Sequence, residues 1–261
     1  MAEKRTAPGR GKAAGAVKSS QSGSKRGFYI LIMTAAVVGI ATLAYVTGKS
    51  RAGNVIALDP TLPPVTSQGY LMGSPSAPIE VIEFGDFECP VCNQFAAVTE
   101  PDIRTLYVNT GKIRFRFIDF PLGMHRNTLN ASVAAACADE QGKFWPMHDV
   151  IYEKQDLWNG EATSNPDKMM KTFAHGIAGM DAATFDSCLD TRRSLAKVQS
   201  HIKLAMDRQV GGTPTFIIGS QQIGNTLGLD AFKRYVDEAI AAADSAKKPA
   251  TKPSGKATKK P

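Results

Sequence analysis

Apolar and polar positions change their period several times along the chain, and each change marks an element. Ile79-Glu-Val-Ile-Glu-Phe84 is β-branched and apolar with acids between, a strand that runs into a turn at Gly85-Asp86. Phe95, Val98, Ile103 and Leu106 then recur at helical spacing, with Pro90 at the first helical position and Gly111 closing the helix. Lys112-Ile-Arg-Phe-Arg-Phe-Ile-Asp119 alternates with period two, so strand, helix and strand form a βαβ unit with a right-handed crossover. From 126 to about 209 the pattern is helical almost throughout, with helices predicted over 130–139, 144–154, 167–177, 181–189 and 192–208. Pro214-Thr-Phe-Ile-Ile218 resumes the sheet, Gly219-Ser220 turns it, Gln221-Gln-Ile223 returns, and a last helix covers about 229–243. Tyr70-Leu-Met-Gly73 reads as a short edge strand before the Ser74-Pro75 turn.

The ends of the chain follow a different logic. Residues 1–27 are a basic, Gly/Ala/Ser-rich tail without apolar period, expected to be disordered. A run from 28 to 46 then lacks any charge, with Tyr29 and Tyr45 near its ends, and predicts a transmembrane anchor over 28–47. Seven basic residues precede it and only Lys49 and Arg51 follow closely, which places the N-terminus in the cytoplasm and the rest outside. A cleaved signal peptide is the competing reading, although the run exceeds the usual signal core and Ser50-Arg51-Ala52 is a poor cleavage site. Residues 48–69 read as a linker, 70–243 as the folded domain, and 244–261 as a disordered Lys/Pro-rich tail.

Charge changes the picture once it is apportioned. The formal net charge of +7 comes from the tails, because residues 28–244 hold 18 basic and 23 acidic residues. A nucleic-acid-binding core is therefore excluded as the leading function. With 261 residues and 43% hydrophobic content there is ample material for a core.

The chemistry lies in Cys89-Pro-Val-Cys92. Cys89 falls at a helix N-terminus, where free backbone N–H groups and the helix dipole favour a thiolate, and Cys92 lies one turn on along the same face. Such a pair can attack a disulfide through Cys89 and release the captured partner through Cys92. A zinc half-site is the first alternative, but no second CxxC, HxxxH or Cys/His cluster supplies the other ligands, and no metal or cofactor is expected. A static structural disulfide is the second.

Cys137 and Cys188 complete an even cysteine count, which in an oxidising compartment predicts that they pair; two buried free thiols are the alternative. His125, His148, His175 and His201 share no ligand spacing, and His125, just after Phe120-Pro121-Leu122, reads as a helix-start residue, with a place near the site as the alternative. Asn130-Ala-Ser132 matches a glycosylation triplet by chance within a helical run, and Phe144, Trp145, Met147 and Trp158 read as core of the helical segment.

Four stretches together resemble the thioredoxin superfamily and, within it, the exported DsbA-like branch: Glu-Phe-x-Asp-x-x-Cys-Pro-x-Cys at 83–92, Phe-Pro-Leu at 120–122, Ala-Ala-Ala-Cys-Ala-x-Glu-Gln-Gly-Lys-Phe-Trp at 134–145 and Gly-Gly-Thr-Pro-Thr-Phe at 211–216. The resemblance implies an α/β fold of thioredoxin type with an inserted helical domain at about 126–209. It implies Cys89 as attacking thiolate, Cys92 as resolving thiol, and Pro214 as a cis-proline beside them, with Thr213 offering backbone groups to an extended peptide. It also places Glu83 where the family keeps a buried acid able to relay a proton for Cys92; an exposed strand acid is the alternative. Strongly oxidising relatives often carry His as the second residue between the cysteines, where this chain has Val91, which implies a milder oxidant.

The expected function is thus a membrane-tethered, extracytoplasmic thiol:disulfide oxidoreductase that gives its disulfide to unfolded or reduced exported proteins and is recharged by a membrane-bound, quinone-linked partner. A reductase or isomerase is the runner-up, although residues 48–69 leave no room for the dimerisation module of exported isomerases. A peptide-binding holdase with a structural CxxC is the reading from another class.

Overall fold

The computed structural model describes residues 24–49, 54–58 and 68–247, in two units divided after Arg51. The first unit contains one helix, α1 (Ser24–Lys49), whose side chains are described for residues 27–42 and are exposed. Among the described residues, no helix is long and apolar enough to cross a membrane. The expected anchor over 28–47 therefore lies partly outside the described side chains. Of the tails expected to be disordered at 1–27 and 244–261, residues 24–27 and 244–247 are helical, and the rest, with most of the expected linker, lies outside the described residues.

The second unit is built on a six-stranded sheet of order β1-β6-β5-β3-β4-β2. Its strands are β1 (Asn54–Ala57), β2 (Tyr70–Met72), β3 (Ile79–Gly85), β4 (Ile113–Asp119), β5 (Thr215–Ile218) and β6 (Gln221–Gly224). Only β3 and β4 run parallel, joined by helices α2 (Pro90–Val98) and α3 (Glu100–Ile103) and a π-helical turn (Arg104–Val108), while the remaining pairs are antiparallel. Between β4 and β5 come six helices: α4 (Thr128–Asp139), α5 (Phe144–Glu153), α6 (Gln155–Trp158), α7 (Pro166–His175), α8 (Ala182–Thr191) and α9 (Leu195–Asp207). The last element is α10 (Leu229–Lys247).

Three expectations need correction. The stretch 48–69 is not all linker, because Asn54–Ala57 forms β1 and pairs with β6 from Asn54↔Gly224 to Ala57↔Gln221. The helix after the cysteines is not continuous, since it breaks at Thr99 ahead of Pro101, which lacks a backbone donor. Its apparent stripe splits accordingly: Phe95 and Ile103 are buried, while Val98 and Leu106 are exposed. Similarly, α9 begins at Leu195 rather than 192, because Arg192 takes a left-handed conformation (φ 55°) that ends α8.

β3 is buried on both faces, which explains its nearly unbroken apolar character. Val81 meets Phe95, Phe115, Phe216 and Phe232 in one cluster under α2 and α10, and on the opposite face Ile82 and Phe84 pack with Ile118, Ala205 and Ile217. The insertion has its own core around Trp158, Met147, Phe185 and Met170 that reaches back to Phe87, Cys89 and Cys92. Phe87, Phe117, Phe144 and Tyr152 surround His148 with ring centroids 4.9–5.8 Å away, joining insertion and sheet beneath the cysteines.

Candidate active site

β3 delivers the chain to the site through Gly85. A Cβ there would lie 2.3 Å from a ring carbon of Phe117, so only glycine lets the strand end against β4. Asp86, fully buried, then organises the turn. Its Oδ1 accepts the Glu88 N–H at 2.8 Å and the Thr128 hydroxyl, and its Oδ2 accepts the Leu122 N–H at 2.8 Å and lies 2.8 Å from His125 Nδ1. The insertion grips the same turn from above: Tyr152 donates its hydroxyl to the Asp86 carbonyl at 3.2 Å, and Gln155 Nε2 donates to the Phe87 carbonyl at 2.7 Å and the Cys89 carbonyl at 3.3 Å. Glu88 is fixed in turn by the Asn127 N–H at 2.7 Å and by the Gly160 N–H. Rigid support of this kind holds the sulfurs in register with whatever docks.

Cys89 is the N-cap of α2 (φ −71°, ψ 121°), with Pro90 next, so its sulfur faces the free N–H groups of the first turn. Both cysteines are reduced, and Cys92 is fully buried while Cys89 retains 6% exposure. Their acidities diverge. A hydrogen bond from the Cys92 thiol, against the opposing effect of burial, then the backbone N–H groups of Cys92 and Val91, lower the Cys89 pKa to about 6. Burial pushes Cys92 well up, reinforced by the bond to Cys89 and the charge of Glu83. The two sulfurs therefore differ in acidity, Cys89 being the one that ionises near neutral pH.

Thr213-Pro214 is a cis peptide bond, and the Thr213 carbonyl lies 3.5 Å from Cys89 Sγ, so the two segments meet although 124 residues apart in sequence. Glu83 is 1% exposed, excluding the exposed strand acid; burial raises its pKa well above the ordinary range, with the charges of Glu100 and Cys89 adding to the rise. Cys137 and Cys188 form a disulfide between α4 and α8. Among the described residues no group of three or more His, Cys, Asp or Glu side chains is placed to hold a metal.

Asp86, Tyr152 and Gln155 are site-building residues that sequence reasoning missed, because their partners lie 31 or more positions away or on the main chain. Asp86 stood inside the motif at 83–92 but read there only as a turn residue. His125 is also corrected: it contacts Asp86 beside the cysteines and precedes α4 by three residues instead of starting it.

A sheet of this topology, with a reduced CxxC at the first helix start and a cis X-Pro against the leading sulfur, defines the class of dithiol–disulfide exchange proteins. The thioredoxin family model matches residues 66–238, and the chain belongs to that family. Probable disulfide bond formation protein D of Bacillus anthracis is 25% identical over 227 residues, covering 86% of this chain and 99% of the relative. A Na(+)/H(+) antiporter, NhaA 3 of Salinispora tropica, is 30% identical over 187 residues, but the alignment covers 71% of this chain and only 27% of the antiporter's length. Among solved structures, oxidised BdbD from Bacillus subtilis superposes with a TM-score of 0.62 at 23% identity, over 71% of this chain and 98% of that one. Wolbachia pipientis alpha-DsbA1 gives 0.61 at 23%, over 72% and 98%; both speak to the fold.

Proposed function

We propose that the chain is a membrane-anchored, extracytoplasmic thiol:disulfide oxidoreductase that donates the Cys89–Cys92 disulfide to unfolded or reduced exported proteins. The divergence of the two sulfurs carries this reading. A Cys89 thiolate with a pKa lowered to about 6 stabilises the reduced protein, and whatever stabilises the dithiol makes the disulfide a better oxidant. In the donating direction, a client thiolate attacks Cys89 Sγ of the disulfide, the Cys89–Cys92 bond breaks, and Cys92 leaves with the electron pair and takes a proton. A second client thiolate then attacks the client sulfur of the mixed disulfide, forming the client's disulfide and expelling Cys89 as a thiolate.

Other features support the remaining roles. Thr213 and Pro214 form the edge along which an extended client would lie, and Glu83, buried beneath, serves as proton donor to Cys92. The Cys137–Cys188 bond stabilises the insertion and takes no part in exchange. The uncharged run at 28–46 in a continuous helix, Ser24–Lys49, supports an anchor whose basic side is cytoplasmic, with the catalytic domain at 70–243 outside. Recharging then falls to a membrane-bound, quinone-linked partner.

Equilibration with glutathione buffers tests the direction. The proposal predicts a reduction potential above about −200 mV, toward the oxidising end of a scale that runs from roughly −120 mV for strong oxidants to −270 mV for reductants. A value near −270 mV would instead assign a reductase.

A further inference from the structure

Beneath the cysteines lies a row of buried polar atoms that the exchange chemistry above does not use. Glu83 Oε2, Glu100 Oε2 and His148 Nε2 are each buried with no hydrogen-bond partner among the described residues. Glu100 and His148 are each held by their other end. Glu100, 1% exposed, accepts through Oε1 from Arg104 Nε at 3.0 Å and Nη2 at 2.8 Å, and its Oε2 lies 3.9 Å from His148 Nε2. His148, also 1% exposed, lies with Nδ1 2.9 Å from Asp149 Oδ1, and an Nδ1–H donated to that carboxylate leaves Nε2 the bare acceptor facing Glu100. Asp149 is half exposed, is clamped by Arg104 Nη1 and Nη2 at 2.8 and 2.6 Å, and lines a cleft of about 390 Å³ with Asn93, Ala96, Pro101, Arg104 and Tyr152.

Burying three groups that ionise, each with an atom left without a partner, costs more than apolar residues in the same space would. The row also has direction. It starts at Cys92, whose acidity feels Glu83, continues to Glu100, the charge that acts most strongly on Glu83, and reaches solvent at Asp149. We propose that Glu100 and His148 are positioning residues for the proton of Cys92, carrying it between Glu83 and the cleft between α2 and α5. This rests on the exchange reading above and deepens it.

When a Cys89 mixed disulfide is resolved by the protein itself, Cys92 gives its proton to the Glu83 carboxylate and its sulfur attacks Cys89 Sγ. The Cys89–Cys92 bond forms, the bond from Cys89 to the foreign sulfur breaks, and that sulfur leaves with the electron pair. The Glu83 proton passes to Glu100, from Glu100 to His148 Nε2, and the Nδ1 proton of His148 leaves by Asp149 into the cleft. Donation of the disulfide runs the same path backwards and protonates Cys92. The charged and titratable groups facing the row are Cys89 and Cys92 from α2, Arg104 from the π-helical turn, and Asp149 and Tyr152 from α5.

The test follows reduced full-length protein after mixing with oxidised glutathione, with acid quench and mass spectrometry separating formation of the Cys89–glutathione adduct from its resolution by Cys92. Glu100→Gln slows resolution about 10²-fold, the low end for a positioned acid–base group, while adduct formation stays within a few-fold of wild type. In the same variant the Glu83 carboxyl, followed by ¹³C NMR, titrates at lower pH, because a neutral Gln no longer opposes its charge. His148→Gln slows resolution in the same way and keeps the test available should Glu100→Gln not fold. Resolution at the wild-type rate in folded variants, or an unmoved Glu83 titration in Glu100→Gln, overturns the relay and leaves the exchange reading intact. Adduct formation in wild type no faster than with free cysteine removes both.

Discussion

Replacing Cys92 with Ala is expected to leave the protein covalently joined to its clients, while replacing Cys89 with Ala abolishes exchange. The two outcomes follow from the unequal positions of the sulfurs. Cys89 keeps a small opening to solvent beside the Thr213 carbonyl and has its pKa lowered to about 6, so in the proposed exchange it alone meets an incoming disulfide. Cys92 is fully buried with its acidity suppressed, so it cannot substitute as the attacking group, and exchange in Cys89→Ala should fall at least about 10³-fold, to the background of a buried thiol. In Cys92→Ala the attack proceeds but nothing inside the protein breaks the adduct, which should accumulate as mixed disulfides on a non-reducing gel. Equal residual activity of the two variants, or no adduct in Cys92→Ala, would place the reactive sulfur elsewhere.

The second large effect concerns stability. Cys137 and Cys188 tie α4 to α8 across a separation of 51 residues, and both are buried against the Ala-rich face of α4. A loop of that size contributes about 4 kcal/mol in the chain-entropy model. The double variant Cys137→Ala/Cys188→Ala should therefore lose about 4 kcal/mol in urea unfolding, with a fall in Tm of roughly 10 °C. Its Cys89 reactivity should survive, because neither α4 nor α8 supplies a group that lowers the Cys89 pKa. A loss below about 1 kcal/mol would mean the insertion is held by its packing alone.

How far the sequence discloses this depends on the range of the interaction concerned. The strand at 79–84 and the helix start at Pro90 are written in local pattern, the cis bond at Thr213-Pro214 was implied by the family resemblance, and each lies where it was expected. β1 was invisible because Asn54–Ala57 is four residues within a Pro/Thr-rich stretch, and its partner β6 lies far along the chain. The break at Thr99 was hidden by an apolar stripe whose members Val98 and Leu106 face solvent. Glu100 and His148 carry no local sign of burial: one is an acid beside a proline, the other a histidine without ligand spacing. What buries them is the docking of α5 on the cysteine helix, a tertiary event. Asp86 stood within a motif, yet its four partners include two main-chain donors that no sequence pattern names.

The account depends on Cys89 being an anion in the folded, reduced protein. Its lowered pKa means that the folded chain carries a thiolate where the unfolded chain, near pKa ~8.5, still carries a thiol. The stability this group contributes is complete above the unfolded value and is lost as pH falls through about 6. The most direct measurement is the rate of iodoacetamide alkylation of the reduced protein as a function of pH, with the labelled sulfur identified by mass spectrometry. Labelling of Cys89 alone, with a midpoint of about 6 and a plateau above it, is the predicted result. A midpoint in the ordinary thiol range near ~8.5, or labelling shared equally with Cys92, would contradict it.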